Sequence, residues 1–103
     1  MERNNYISYL KAMANDHRLE IIDYLSSDET MCVCDLLKYF EISQPTLSHH
    51  LKVLIEANIV ECSKNGQFNM YKLNPIFTTN FYKDTDKLLS NKKSKNQNES
   101  CIS

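Results

Sequence analysis

The segment Ser43 to Asn58, SQPTLSHHLKVLIEAN, reads as a helix with two unlike faces, and the rest of the chain has to be fitted around it. Leu47, Leu51, Leu54 and Ile55 recur at i, i+4, i+7 and i+8, which puts four aliphatic side chains on one stripe of a 3.6-residue helix. Ser43 stands at the N-cap position, and Pro45 falls in the first turn, where a missing N–H costs nothing. Gln44, Ser48, His49 and Lys52 fall opposite the stripe, and Thr46 and His50 complete the candidate contacts on this helix. Short or basic hydrogen-bonding side chains of this kind read base edges and hold phosphates when a helix end enters a major groove. A free helix N-terminus favours phosphate as well. Alone, such a segment would be an ordinary amphipathic surface helix; its neighbours change the odds.

Before it, Leu36, Leu37 and Phe40 of MCVCDLLKYF form the apolar stripe of a short helix, and Glu41, Ile42 and Ser43 make a tight link. Two helices so joined, the second apolar on one side and polar on the other, are the sequence form of a helix-turn-helix. After it, Ile59 to Cys62 is strand-like, Ser63 to Gly66 holds turn residues with the chain's single glycine, and Gln67 to Leu73 alternates again before Pro75. That is a β-hairpin attached to the reading helix, a wing. Lys64, Asn65 and Gln67 at its tip suit a minor groove or backbone contact.

Upstream, Tyr6, Leu10 and Met13 mark a first helix over about Asn5 to Ala14. Asn15 and Asp16 look like caps of a second, whose stripe is Leu19, Ile22 and Leu25 and which ends at Ser26 and Ser27. His17 near its start is expected to face solvent or cap the helix, and Asp28 and Glu29 to form a solvated turn. Downstream, Phe77, Phe81, Thr85 and Leu88 repeat at helical spacing, with Ile76, Tyr82 and Leu89 beside them. So aromatic a terminal helix has little core left to bury itself in. It is expected to pack on the first helix and on the matching helix of a second subunit.

The predicted fold is therefore mainly α with a small β-hairpin: a dimeric winged helix-turn-helix over residues 1–89, with terminal helices at the dimer interface. From residue 90 to 103 the chain turns to Asn, Lys, Ser and Gln and is expected to be a disordered tail carrying Cys101. At 103 residues one domain is implied, small enough that a second subunit commonly adds stability. One Gly and two Pro suit a helix-rich chain. There is no leader pattern and no apolar run of membrane-spanning length, so a cytoplasmic protein without a membrane partner is expected.

The net charge of −1 hides an uneven distribution. Residues 1–42 carry four Lys/Arg against eight Asp/Glu, a net of −4, whereas residues 43–74 carry +1 and residues 75–103 carry +2. The acidic part lies away from the reading helix, so overall acidity does not exclude DNA.

The segments NDHRLEIIDYL, SQPTLSHHL and KNGQFNMYKLNP together resemble the ArsR/SmtB family of small dimeric winged-helix repressors over roughly residues 6 to 89. The resemblance implies an inverted-repeat operator that is released when a metal or metalloid ion binds. CVCDL, at Cys32 to Leu36, is similar to the form found in arsenical-resistance repressors, which implies arsenite or antimonite as inducer, bound through cysteine thiolates. The chemistry fits, because these ions are thiophilic and pyramidal and prefer three thiolates, whereas structural zinc wants four ligands.

Cys32 and Cys34 are thus the candidate ligands. Their spacing looks too tight for a comfortable disulfide. Residues i and i+2 face the same way in extended backbone but lie about 200° apart in a helix, so an ion shared by both needs non-helical backbone there. Ion binding that unwinds a helical turn would shift the reading helix. Some arsenical repressors carry a third cysteine where this chain has Leu37; Cys62, Cys101 or an exogenous thiol remain as third ligand, although Cys62 could equally be a core residue. The zinc sensors of the family use His- and Asp-rich terminal helices, and no His follows His50.

A cadmium or lead sensor, needing a further thiol, and a thiol-redox repressor are the alternatives within this fold. An enzyme is not expected, for the chain has no CxxC and no Gly-rich phosphate loop. A protein-only adaptor would differ in lacking salt-sensitive DNA binding.

Overall fold

The computed structural model describes residues 3–27 and 30–90. Asp28 and Glu29 lie outside the described residues, as does the tail from 91 with Cys101.

Helix α1 (Arg3–Met13) is followed by α2 (Asp16–Leu25). Asn15 separates them in extended backbone, and its side-chain oxygen accepts from the Arg18 N–H at 3.1 Å, the N-cap bond expected of that residue. Two of the expected stripes are rolled. On α1 the buried residues are Tyr6, Tyr9 and Ala12, and Leu10 is exposed. On α2 they are Ile21 and Leu25, and Leu19 is exposed. Both helices carry apolar side chains around more than half their circumference, so periodicity leaves the facing stripe undecided and the neighbouring elements choose it.

Strand β1 (Met31–Cys32) runs directly into α3 (Val33–Leu37). The turn continues through three i to i−3 bonds, from Lys38, Tyr39 and Phe40 N–H to the carbonyls of Asp35, Leu36 and Leu37. The link to α4 (Gln44–Glu56) is therefore six residues, 38 to 43, rather than three. Ser43 caps α4, accepting from Thr46 N–H at 3.3 Å. At the other end Asn58 takes a φ of 62°, Asn58 N–H bonds Ile55 O and Ile59 N–H bonds Leu54 O. This is a Schellman closure with Asn in place of the usual Gly, and its hydrophobic pair, Leu54 and Ile59, is fully buried.

Strand β2 (Val60–Asn65) pairs with β3 (Phe68–Leu73) from Val60 opposite Leu73 to Asn65 opposite Phe68. Gly66 leads the two-residue loop with a φ of 67°, a conformation that excludes most side chains. Lys64 and Asn65, expected in the turn, are the last residues of the strand. The sheet has a third member: β1 pairs antiparallel with β3, Met31 opposite Tyr71 and Cys32 opposite Met70, giving the order β1-β3-β2. Two residues are too few to show alternation, so no sequence pattern announced this strand.

Ile21, Leu25, Leu36, Leu47, Leu51, Leu54 and Ile59 form the fully buried centre, drawn from α2, α3, α4 and the start of the wing. Truncating any of the leucines to Ala should cost about 2–5 kcal/mol. This centre holds α4 from behind and leaves its polar face outward. Helix α5 (Pro75–Ser90) then crosses α1, with Tyr6 stacked on Phe81 at 5.4 Å between centroids and Tyr9 edge-on to Phe77 at 4.9 Å. The Tyr6 hydroxyl and Thr85 Oγ1 hydrogen bond at 2.7 Å. Ser90 is still helical, one residue past the expected boundary. Among the described residues no helix is long and apolar enough to cross a membrane.

Candidate nucleic-acid interface and thiol site

Because Leu47, Leu51 and Leu54 face the core, Gln44, Thr46, Ser48, His49 and Lys52 are all exposed on α4. The first turn is ordered before any partner arrives: Ser43 Oγ donates to Thr46 Oγ1 at 2.9 Å while accepting the Thr46 N–H. Lys64, Asn65 and Gln67 are exposed at the far end of the wing. Phe68, not expected in this set, is exposed beside them.

His50 does not belong to this face. It is only 8% exposed, because it sits three residues after Leu47 and four before Leu54, at the edge of the buried stripe. Its Nδ1 lies 3.0 Å from Arg18 Nη1. A guanidinium only donates, so Nδ1 is the acceptor and the proton of the neutral ring is on Nε2. Burial, then the positive charge of Arg18, then His17 and His49, hold its pKa below the ordinary 6.5. His17, expected to face solvent or cap the helix, is half-buried, with its ring 5.9 Å from Phe40 and 5.5 Å from His50. Its Nδ1 is shut away without a hydrogen-bond partner, since Glu20 at 3.7 Å is beyond reach. No sequence signal linked Arg18 to His50, 32 residues apart.

The thiol site forms where β1 becomes α3. Cys32 is the N-cap, in extended backbone with φ −82° and ψ 166°, and its Sγ accepts the Asp35 N–H at 3.4 Å. Cys34 is the second helical residue and is exposed. One cysteine on each side of the boundary escapes the 200° separation of a helix, and the two sulfurs meet: Cys32 and Cys34 are disulfide-bonded, with Cα atoms 5.4 Å apart. The expectation that the spacing is too tight for a disulfide is thus overturned, since this Cα separation is within the normal range. Nor does any helical turn between them have to unwind, because Cys32 already lies outside α3.

Donor atoms of Cys32, Cys34 and Asp35 lie within 4.8 Å of one another. Two sulfurs and a carboxylate at a strand-to-helix junction suit a thiophilic ion better than a hard one. Asp35 was visible beside the motif, but adjacency did not reveal that its side chain turns toward the sulfurs. Cys62 is elsewhere. It pairs with Tyr71 in β3 whereas Cys32 pairs with Met70, so strand alternation puts them on opposite faces. It is an exposed free thiol rather than a core residue, and does not reach Cys32 within one chain. Burial, reinforced by Cys62, pushes the Tyr71 hydroxyl above its ordinary pKa.

Residues 15–61 match the family described as bacterial regulatory protein, arsR family. The arsenical resistance operon repressor of Staphylococcus xylosus is 52% identical over 68 residues, which cover 66% of this chain and 64% of the relative. The chain therefore spans just under two thirds of that relative's length. A solved structure, a possible transcriptional regulator for arsenical resistance, is 30% identical with a TM-score of 0.71, covering 79% of this chain and 83% of its own. HlyU from Vibrio cholerae is 33% identical with a TM-score of 0.69, covering 86% of this chain and 98% of its own.

Proposed function

Since the chain belongs to the arsR family of bacterial regulatory proteins, we propose that it is a cytoplasmic homodimeric repressor that binds an inverted-repeat operator and releases it on taking up trivalent arsenic or antimony. The observation that carries the reading is the meeting of Cys32 and Cys34 at the foot of α3, one element before the reading helix. Relatives named arsenical resistance operon repressor support the inducer class.

The chain's own residues supply each part. In the dimer two copies of α4 lie in successive major grooves, with Ser48 and His49 on base edges and Lys52 and Lys64 on phosphates. Reduced Cys32 and Cys34 hold the ion, which supplies two strong bonds to sulfur. Leu36, fully buried and four residues after Cys32, transmits any change in α3 to the core beneath α4. A redistribution of this kind acts only through unequal ion affinity of the DNA-bound and free forms.

A cadmium or lead sensor would need a further thiol beyond the pair, and Cys101 would have to serve. The thiol-redox reading is favoured by one observation, the bonded sulfurs themselves. Both readings are tested on the reduced chain bound to an inverted-repeat fragment. Release by arsenite or antimonite but not by cadmium supports the inducer, and release by peroxide alone would replace it with the redox reading. No salt-sensitive binding to any inverted repeat would remove the repressor itself.

A further inference from the structure

We propose that Asp35 holds the third position of an arsenical bound by Cys32 and Cys34, accepting a hydrogen bond from the one hydroxyl that two thiols cannot displace. The proposal rests on the inducer reading above. Arsenous acid carries three hydroxyls. Each thiol replaces one of them: an As–S bond forms, an As–O bond breaks, and the thiol proton leaves with the hydroxyl as water. Two thiols therefore release two waters and leave one As–OH, with no change of oxidation state.

A third nearby thiol would remove that last hydroxyl, but among the described residues none stands near the pair. Residue 37 is Leu, and Cys62 lies on the other face of the sheet. What stands beside the sulfurs is the Asp35 carboxylate, within 4.8 Å of both. Its place is set by its own backbone, whose N–H is donated to Cys32 Sγ. Its charged neighbour, Lys38 at 3.6 Å, forms an exposed pair of the kind that contributes little, so the carboxylate is free to turn. An ionised carboxylate only accepts and As–OH donates, which makes the bond charge-assisted. The site is thereby matched to a ligand with two exchangeable hydroxyls and one retained O–H. Hydrated phenylarsine oxide satisfies the thiols equally but presents carbon at the third position, where Asp35 has nothing to hold.

The test uses the full chain, reduced with a phosphine that is then removed, and titrates arsenite and phenylarsine oxide by calorimetry. Asp35→Ala keeps the N–H that caps Cys32, so the sulfurs stay placed. We expect it to weaken arsenite binding about tenfold or more, with Asp35→Asn intermediate and phenylarsine oxide unchanged within about twofold. Equal weakening of both arsenicals would overturn the proposal, because Asp35 would then act only by placing the thiols. Unchanged arsenite binding that still depends on Cys32 would overturn this role alone and leave the inducer reading standing. A reduced parent chain that binds neither arsenical would overturn both.

Discussion

Arg18 donates from Nη1 to Nδ1 of His50 across 3.0 Å and from Nε to the Ala12 carbonyl across 2.6 Å. One guanidinium thus ties the last turn of α1 to the middle of the reading helix. A second proton on the His50 ring is disfavoured here, first by burial and then by the positive charge of Arg18, with His17 and His49 adding to it.

Folding stability should accordingly fall on the acid side. A histidine whose folded pKa is lowered binds fewer protons when native than when unfolded, so stability rises with pH through the interval between the two values. Its contribution is complete above the unfolded value of 6.5 and is lost as pH falls from there toward the lower folded value. His50→Asn keeps an acceptor for Arg18 and removes the titration. Urea midpoints at about pH 5.5 and about pH 7.5 should differ less for the variant than for the parent; equal differences would assign the pH dependence to other groups.

On the DNA face, Ser48→Ala with His49→Ala should lose about 1–3 kcal/mol per lost base contact and narrow the gap between operator and random sequence. Lys64→Ala should weaken both alike and lower the salt slope by about one. Unchanged affinity in both variants would move the interface off these residues.

For the thiol site, Cys32→Ser should fold, since Ser is itself a good N-cap for the Asp35 N–H. It and Cys34→Ser should bind operator nearly as the parent does yet fail to respond to arsenite. Carrying a complex from 99:1 to 1:99 takes about 5.5 kcal/mol of differential affinity, and one sulfur alone does not supply it. Cys62→Ser, on the other sheet face, should keep the response; Cys101→Ser is the comparison that tests the tail. Release of a Cys32→Ser complex at the parent's arsenite concentration would discard the site.

The Schellman closure makes a separate prediction about the join of reading helix and wing. Asn58 has a φ of 62°, so Asn58→Ala should destabilise by about 1 kcal/mol, whereas Asn58→Gly should be close to neutral. Denaturant midpoints of the two variants falling together would show that the left-handed residue carries no strain there.

Dimerisation is expected along the outer side of α5, where Tyr82 is 77% and Leu89 78% exposed, continuing onto Ile7 and Leu10 of α1. Tyr82→Glu with Leu89→Glu should give a monomer by sedimentation at micromolar concentration and weaken operator binding steeply. A dimer that survives the double change would place the interface elsewhere.

Much of this was legible because it depends on short-range pattern. The stripe of α4, its Ser43 cap, the Asn15 cap and the two candidate ligands lie within a few residues of the groups they act on, and helix and turn geometry relates such neighbours directly. What misled was a choice among near-equivalent options. His50 looks like a groove residue beside His49, and Leu10 and Leu19 look like core. A roll of the helix about its axis separates these readings, and periodicity alone does not resolve it.

By itself, then, the sequence determined the order of the helices and the wing hairpin, the polar outer face of the reading helix, the wing's glycine, and the cysteine pair, all set by local backbone geometry. Only the tertiary structure decided which apolar stripe is buried, that Arg18 meets His50, that Met31 and Cys32 join the sheet beside Met70 and Tyr71, and that Cys62 faces away from the pair. Each of these is a contact between residues far apart in the chain. Packing and strand register establish such contacts, and no spacing within a single segment encodes them.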